Sequence, residues 1–357
     1  MPMETSFNGK HLLMRLSDTP GGAGDERLIA EVLEEELSPF VDSIEIDAVG
    51  NAVLFKQGLG AQLHPRIMLA AHMDEISLIV MKIDQGGFLR VAQIGGFDPR
   101  TLLGQEVIVH GKRRIKGVIG SKPPHLSSAE ERKQTVPLTE LFVDVGLPEQ
   151  RVRELIVVGD RMTIDRHPVE LLGGRISGKA MDNRASVAAV AICLEQLHKL
   201  RAISDVYAVG TVQEEIGSIG AQTAAFRLQP DLAIAIDVCH GETPGVADDL
   251  VQQIGKGPVI TFGPHIHPKI FERLKQVAIT NRIPYQIEVS QGATWTDADP
   301  IQITQAGVPT GLISIPLRYM HTAVETLSFD DVQNAGILLA SFIADIDQAF
   351  VEDLICY

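Results

Sequence analysis

Five short segments of this 357-residue chain end on side chains able to hold a metal ion. His72 and Asp74 follow RIMLAA, and Asp182 sits in GKAMDNR. Glu214 and Glu215 follow YAVGTVQ, Asp237 follows LAIAI, and His321 follows GLISIPLRYM. In an open α/β sheet, ligands gather at the carboxyl ends of strands. Polar tips at several such ends point to one constructed site. Carboxylate plus imidazole is the donor set of a hydrolytic, zinc-type centre.

Each residue also has a plainer reading. His72 and Asp74 lie two apart, on one side of a strand, so Asp74 is placed to steady the second ring nitrogen of His72. Alone, they read as two polar residues at a strand end. Asp182 alone reads as a helix cap. Glu214 and Glu215 are adjacent acids after an apolar run, and cations would relieve their repulsion. Their plainer reading is an exposed acidic turn. Asp237 alone is a strand-end charge, and His321 alone a structural histidine.

The set is worth more than its members. If His72, Asp182 and Asp237 hold one divalent ion, and Asp182, Glu215 and His321 hold a second, each ion keeps an open position. Asp182 then bridges. Glu214, not needed as a ligand, is free to act as a general base. This is the co-catalytic arrangement of two-metal aminopeptidases.

Three other features carry less. GGRISGKA (173–180) has G-x-x-x-x-G-K but ends in Ala180, which lacks the hydroxyl a phosphate loop needs for magnesium. His265 and His267 form H-x-H in a segment that reads as a loop before a helix. Cys239 reads as a small buried residue.

The elements needed to position these residues are legible. Residues 25–37 have helical period, and 43–58 alternate and turn at Gly50-Asn51, as a hairpin does. Residues 66–74, DVYAVGTVQ, DLAIAIDV and 311–316 read as buried strands. Residues 186–200, 267–282 and 328–346 read as helices, the last opened by a Ser328/Asp331 capping box. After Ile83 the texture changes to short β-rich runs with Gly and Pro between them. The fold class is therefore α/β: a mixed-sheet catalytic domain with helices on both faces, interrupted by a small, barrel-like β-rich insert. The expected boundaries are 1–74 with 167–357 for the former and 75–166 for the latter. Residues 121–137, polar and rich in proline, read as a mobile surface loop.

Hydrophobic content is 45 % and formal net charge −15. No basic stripe outweighs the acid, which argues against nucleic-acid or anionic-membrane partners. Three widely spaced cysteines, Cys193, Cys239 and Cys356, imply no disulfide framework. No run approaches the ~20 apolar residues of a membrane span, and the first 22 residues show no leader pattern. A cytoplasmic, reducing compartment is expected.

In order along the chain stand AAHMDEI (70–76), IGGFDPRTLLGQEV (94–107), GVIGSKPPH (117–125), SGKAMDNRASV (177–187), VQEEIGSIGA (212–221), GKGPVITFGPHIHP (255–268), PYQIEV (284–289), TDA (296–298) and GVPTGLISIPLRYMHTAVE (307–325). Together they resemble the M42 metallo-aminopeptidases, the glutamyl and tetrahedral aminopeptidase group, over nearly the full length. The resemblance implies His72, Asp182, Glu215, Asp237 and His321 as ligands of two divalent ions, zinc or cobalt, with Asp182 bridging. It implies Glu214 as catalytic base and Asp74 as the residue that orients His72. It further implies peptide substrates, and homo-oligomers in which dimers build a dodecamer through the insert. Ser77, Cys239-His240 and Trp295 depart from the usual pattern, and the last two bear on pocket shape. Other two-metal amidohydrolases, a carboxypeptidase or a deacylase, would use the same ligands. A glycoside hydrolase would need two carboxylates and no metal, and a silent assembly protein would need neither.

Overall fold

A computed structural model of the chain describes residues 7–60 and 64–354. Cys356 lies outside them. Three strands come first, β1 (Ser43–Ile46), β2 (Ala52–Lys56) and β3 (Arg66–His72). Six follow in the segment of changed texture: β4 (Ser77–Ile83), β5 (Leu89–Ile94), β6 (Glu106–His110), β7 (Arg114–Gly120), β8 (Phe142–Asp144) and β9 (Arg161–Ile164). After the short strands β10 (Val169–Leu171) and β11 (Arg175–Gly178) come β12 (Asp205–Thr211), β13 (Leu232–His240), β14 (Val259–Phe262), β15 (Gln286–Val289), β16 (Thr310–Leu317) and β17 (Glu325–Ser328).

The large sheet runs β1-β2-β12-β3-β13-β16-β14-β15. Its centre, β12-β3-β13-β16, is parallel, and its flanks are joined antiparallel. Such a centre must be covered on both faces, and β3 shows how. Ile67, Leu69 and Ala71 enter the larger core, beneath the helices Met181–Leu197 and Phe329–Asp345. Met68 and Ala70 enter a smaller core, beneath Ile219–Leu228 and Ala298–Gln302. Alternation continues to the strand end, so His72 emerges on the side of the smaller core.

Strands β4 to β9 close into an antiparallel barrel, in the order β4-β5-β8-β7-β6-β9. It encloses its own core of Leu78, Val80, Val107, Val109, Val143 and Met162. Within residues 121–137, short 3-10 turns at Pro124–Leu126 and Glu131–Lys133 take up part of the chain. Among the described residues, no helix is long and apolar enough to cross a membrane.

Two buried polar anchors tie the ends of the barrel excursion to the sheet. The Lys179 ammonium donates to both Glu75 oxygens, at 2.8 and 2.7 Å, with both side chains almost wholly buried. The same carboxylate accepts the Gly21 amide. Burial, with the Arg184 charge adding to it, lowers the Lys179 pKa, and Glu75 opposes that. Arg184, fully buried, donates to the carbonyls of Leu16 and Gly21. These contacts hold the turn after β3 against the segment entering the Met181–Leu197 helix.

The capping box expected at Ser328 and Asp331 is corrected. Ser328 makes no side-chain cap bond. The Asp331 carboxylate turns away from the helix start to accept the amides of Gly255 and Gly257, at 2.6 and 2.7 Å. Those two glycines have φ of +85° and +98°, and their amides take the carboxylate in place of the local cap. Asp331→Ala is expected to cost about 2 kcal/mol, as hydrogen bonds to a charged acceptor do. Ser328→Ala should stay within about 0.5 kcal/mol. Denaturant unfolding measures both. Glu75→Ala should destabilise by roughly 3–5 kcal/mol, because it strands a buried ammonium. The pair Glu75→Gln with Lys179→Met should recover most of that loss in the same experiment.

Candidate active site

Parallel pairing sets the level of the site. Thr211 pairs with His72, so β12 and β3 end together. Ala235 pairs with Ala70, so Asp237, two residues on, stands beside His72 on the same face. After β12 the chain turns sharply. Gln213 takes φ +59°, and the next residues form a 3-10 turn, Glu214–Ile216, that carries both glutamates over the strand end. A left-handed non-glycine residue costs about 1–2 kcal/mol. Here that strain is offset by two amides, for the Asp74 carboxylate accepts Glu214 N–H at 3.0 Å and Glu215 N–H at 3.1 Å.

Asp182 comes from another element. Ala180 is also left-handed, at φ +55°, and Asp182 and Asn183 are non-helical residues at the head of the Met181–Leu197 helix, joined by a cis peptide. Asn183 Nδ2 donates to the Ile236 carbonyl at 2.9 Å and fixes this head over β13. His321 lies on the turn between β16 and β17, again left-handed, at φ +61°. The fully buried Glu325 joins these last two: its oxygens accept Asp182 N–H at 3.0 Å and His321 N–H at 2.8 Å.

The geometry centres on Asp182. Oδ1 lies 3.1 Å from His72 Nε2, and Oδ2 lies 3.4 Å from His321 Nε2. Glu215 Oε1 is 3.5 Å from His321 Nε2, and Asp237 Oδ1 is 3.9 Å from His72 Nε2. Glu214 Oε2 is 3.8 Å from the same nitrogen. One carboxylate thus faces two imidazoles with its two oxygens, and each imidazole has a further carboxylate beside it. His72, Asp182 and Glu215 each offer a donor atom within 4.8 Å of the others. The structure brings together all five expected ligands and Glu214.

Asp74 stands somewhat differently from expectation. His72 Nδ1 lies 3.2 Å from the Asp74 carbonyl and 3.5 Å from its carboxylate. The carboxylate is engaged with the two glutamate amides, so it positions the acidic turn as well as the ring.

Burial and like charge dominate the electrostatics. Burial pushes Glu214 up to about 7, with Asp297 and Asp182 adding to it. Burial, then Asp182, pushes Glu215 up to about 10. Burial likewise drives Asp237 well above the carboxylate range. Asp182 is opposite: burial would raise it, but hydrogen bonds from His321 and His72 hold it down. Burial would lower His72, yet Asp182 and Asp74 hold it well above its usual value. A buried group of acids that cannot all ionise, arranged about two imidazoles, is what divalent cations neutralise. The donor set fits hard-to-borderline ions held by oxygen and imidazole.

Sequence reasoning missed several contributors. Gly95 and Gly96, just past β5, bring the barrel against the centre. A Cβ on Gly96 would stand 3.0 Å from His321 Nδ1, and one on Gly95 3.0 Å from Glu215 Oε2. The IGGF motif was the available signal. Glu325 was visible only as a flank of His321. Asp297, pushed up to about 6 by burial, accepts the Thr211 hydroxyl beneath His72. The H-x-H pair separates: His265 pairs with Asp299, while His267 is buried at a helix start. Cys239 is buried, as expected.

Known proteins share both sequence and fold with this chain. The profile of the family described as M42 glutamyl aminopeptidase matches residues 50–338. A lysyl aminopeptidase of Pyrococcus furiosus is 35% identical over 340 residues, covering 94% of this chain and 96% of that one. The structure of an aminopeptidase from the archaeon Desulfurococcus kamchatkensis superposes with a TM-score of 0.90 at 39% identity, covering 97% of each chain. The TET1 peptidase of Pyrococcus horikoshii, described as assembling into a tetrahedron or a large octahedral shell, superposes with a TM-score of 0.83 at 32% identity, over 94% of this chain and 99% of that one. The chain belongs to the M42 family and is a peptide hydrolase of the aminopeptidase kind.

Proposed function

We propose that the protein removes N-terminal residues from peptides with two divalent cations, zinc or cobalt, held in each subunit. His72, Asp182 and Asp237 would hold one ion, and Asp182, Glu215 and His321 the other. The observation that carries this reading is the Asp182 carboxylate, with one oxygen toward His72 and the other toward His321. Bound there, the ions would supply Lewis acidity to the scissile carbonyl and to a water.

The remaining steps belong to the chain. Glu214 is the general base. It takes the proton of the attacking water at its carboxylate and delivers it to the departing amine nitrogen. Its resting pKa near 7 suits that exchange, and added positive charge nearby favours the ionised form. Asp74 sets the base in place through the Glu214 amide and steadies His72. Glu325 fixes the backbone of Asp182 and His321.

Residues 1–74 with 167–357 form the catalytic unit in this reading, and 75–166 the unit of assembly. The barrel exposes Met81, Val118, Val157 and Val158, apolar area suited to self-association. A similar solved structure described as a dodecamer, and the shells described for the TET1 peptidase, support assembly into a dodecamer, with dimers as the expected unit. Among the described residues Cys193 and Cys239 form no disulfide, in keeping with a reducing cytoplasm.

Chelation should abolish hydrolysis of a peptide with a free N-terminus, and added zinc or cobalt should restore it. The N-acetylated peptide should not be cleaved. Cleavage of the acetylated form would favour a deacylase or carboxypeptidase. Glu214→Gln should retain its metal content by elemental analysis while turnover falls about 10²–10⁴-fold, the usual worth of general base catalysis. Turnover near wild type would remove Glu214 from its role. Sedimentation at micromolar concentration should give a mass well above one subunit.

A further inference from the structure

The cavity over the site, about 830 Å³, extends well past the acidic centre. Among the residues lining it there is no lysine or arginine. Four of its acids, Asp182, Glu214, Glu215 and Asp237, meet at the centre, which leaves Asp299 and Glu288. Asp299 is fully engaged, accepting the amides of Thr294 and Trp295, the Thr294 hydroxyl and the ring of His265. Glu288 forms no ion pair among the described residues, and the exposed His240 and the Thr261 hydroxyl both favour its ionised form.

Strand register places Glu288. Asp237 pairs with Ser314, Ser314 with Val259, and Val259 with Gln286. Glu288 therefore lies on the same sheet face as Asp237, three strands away. Strands are about 4.8 Å apart, so the two backbones are separated by roughly 14 Å. Asp237, Cys239 and Glu288 all line the cavity, and burial, with both carboxylates adding to it, pushes the Cys239 thiol up. Leu312, Ser314 and Thr261, all buried, pave the floor. A long side chain running from the centre to Glu288 would pass over small and apolar groups and end on a carboxylate. An alkyl stem with a cationic tip matches that order.

The geometry points to Glu288 as a specificity-determining residue that selects peptides whose N-terminal side chain is cationic, lysine or arginine. The inference rests on the aminopeptidase reading above. Glu288 is half-buried, and burial raises its pKa against the opposing influence of His240 and the Thr261 hydroxyl. A partly desolvated carboxylate that has the Thr261 hydroxyl beside it but no ion pair among the described residues is better satisfied by an arriving ammonium or guanidinium than by a neutral side chain.

The test uses metal-loaded, full-length enzyme and four aminoacyl reporters: lysyl, arginyl, methionyl and glutamyl. Methionine matches the lysine stem without its charge. For the wild type, kcat/KM on lysyl and arginyl reporters is expected to exceed that on methionyl at least ~10-fold, in line with a partly desolvated charge pair. Glu288→Gln should bring the cationic reporters to within about 3-fold of methionyl, chiefly through KM, and leave methionyl turnover unchanged. Glu288→Lys should favour the glutamyl over the lysyl reporter. Retained methionyl activity and an unshifted melting temperature certify that each variant is folded. A wild type active on methionyl with no cationic preference, or a Glu288→Gln loss equal on every reporter, overturns the assignment. Failure to cleave any free-amine reporter would instead refute the aminopeptidase reading, and this inference with it.

Discussion

Negative charge held in a dry place is the constraint from which the rest of the molecule follows. Asp74, Asp182, Asp237, Asp297 and Glu325 are all buried, within a few residues of one another in space. Left to themselves, such groups would be driven apart or protonated. They are held instead by backbone amides. Asp74 takes two from the acidic turn, Glu325 takes one each from Asp182 and His321, and Asp237 takes that of Val238. The bonds to Asp74 and Glu325 also fix the backbones of other site residues, so the cluster is a mutual scaffold. The one strongly acidic member, Asp182, stands between the two imidazoles and keeps its charge because of them.

How much of this was legible depends on the range of the interaction. Strand tips were legible. An apolar run as uniform as LAIAI that stops on aspartate leaves few readings, and β12, β3 and β13 deliver their polar ends to one level, as expected for parallel strands. The change of texture after Ile83 correctly marked a β-rich body, because barrel strands alternate on a short period and the sheet's central strands do not. What could not be read were the partners chosen across the fold. Asp331 looked like a local cap because Ser328 sits three residues before it. Only the position of the Gly255 and Gly257 amides shows why it faces elsewhere. Glu325 and the Glu75–Lys179 pair were silent for the same reason.

The barrel is more than an appendage to the sheet. Its Gly95-Gly96 corner closes against Glu215 and His321, so a segment foreign to the α/β frame supplies one wall of the centre. Side chains there would displace the imidazole or the carboxylate. The absence of side chains is what lets two separately cored bodies meet at the chemistry.

The Glu75–Lys179 bridge has a consequence for how such a chain can change. It clasps the turn after β3 to the segment entering the Met181–Leu197 helix, so the excursion is a detour whose two ends are held together. A detour of that kind can be lengthened, shortened or redecorated on its outer side without pulling on the frame that hosts it. The barrel and the bond-breaking centre are then free to diversify on separate schedules, coupled where the glycine corner touches.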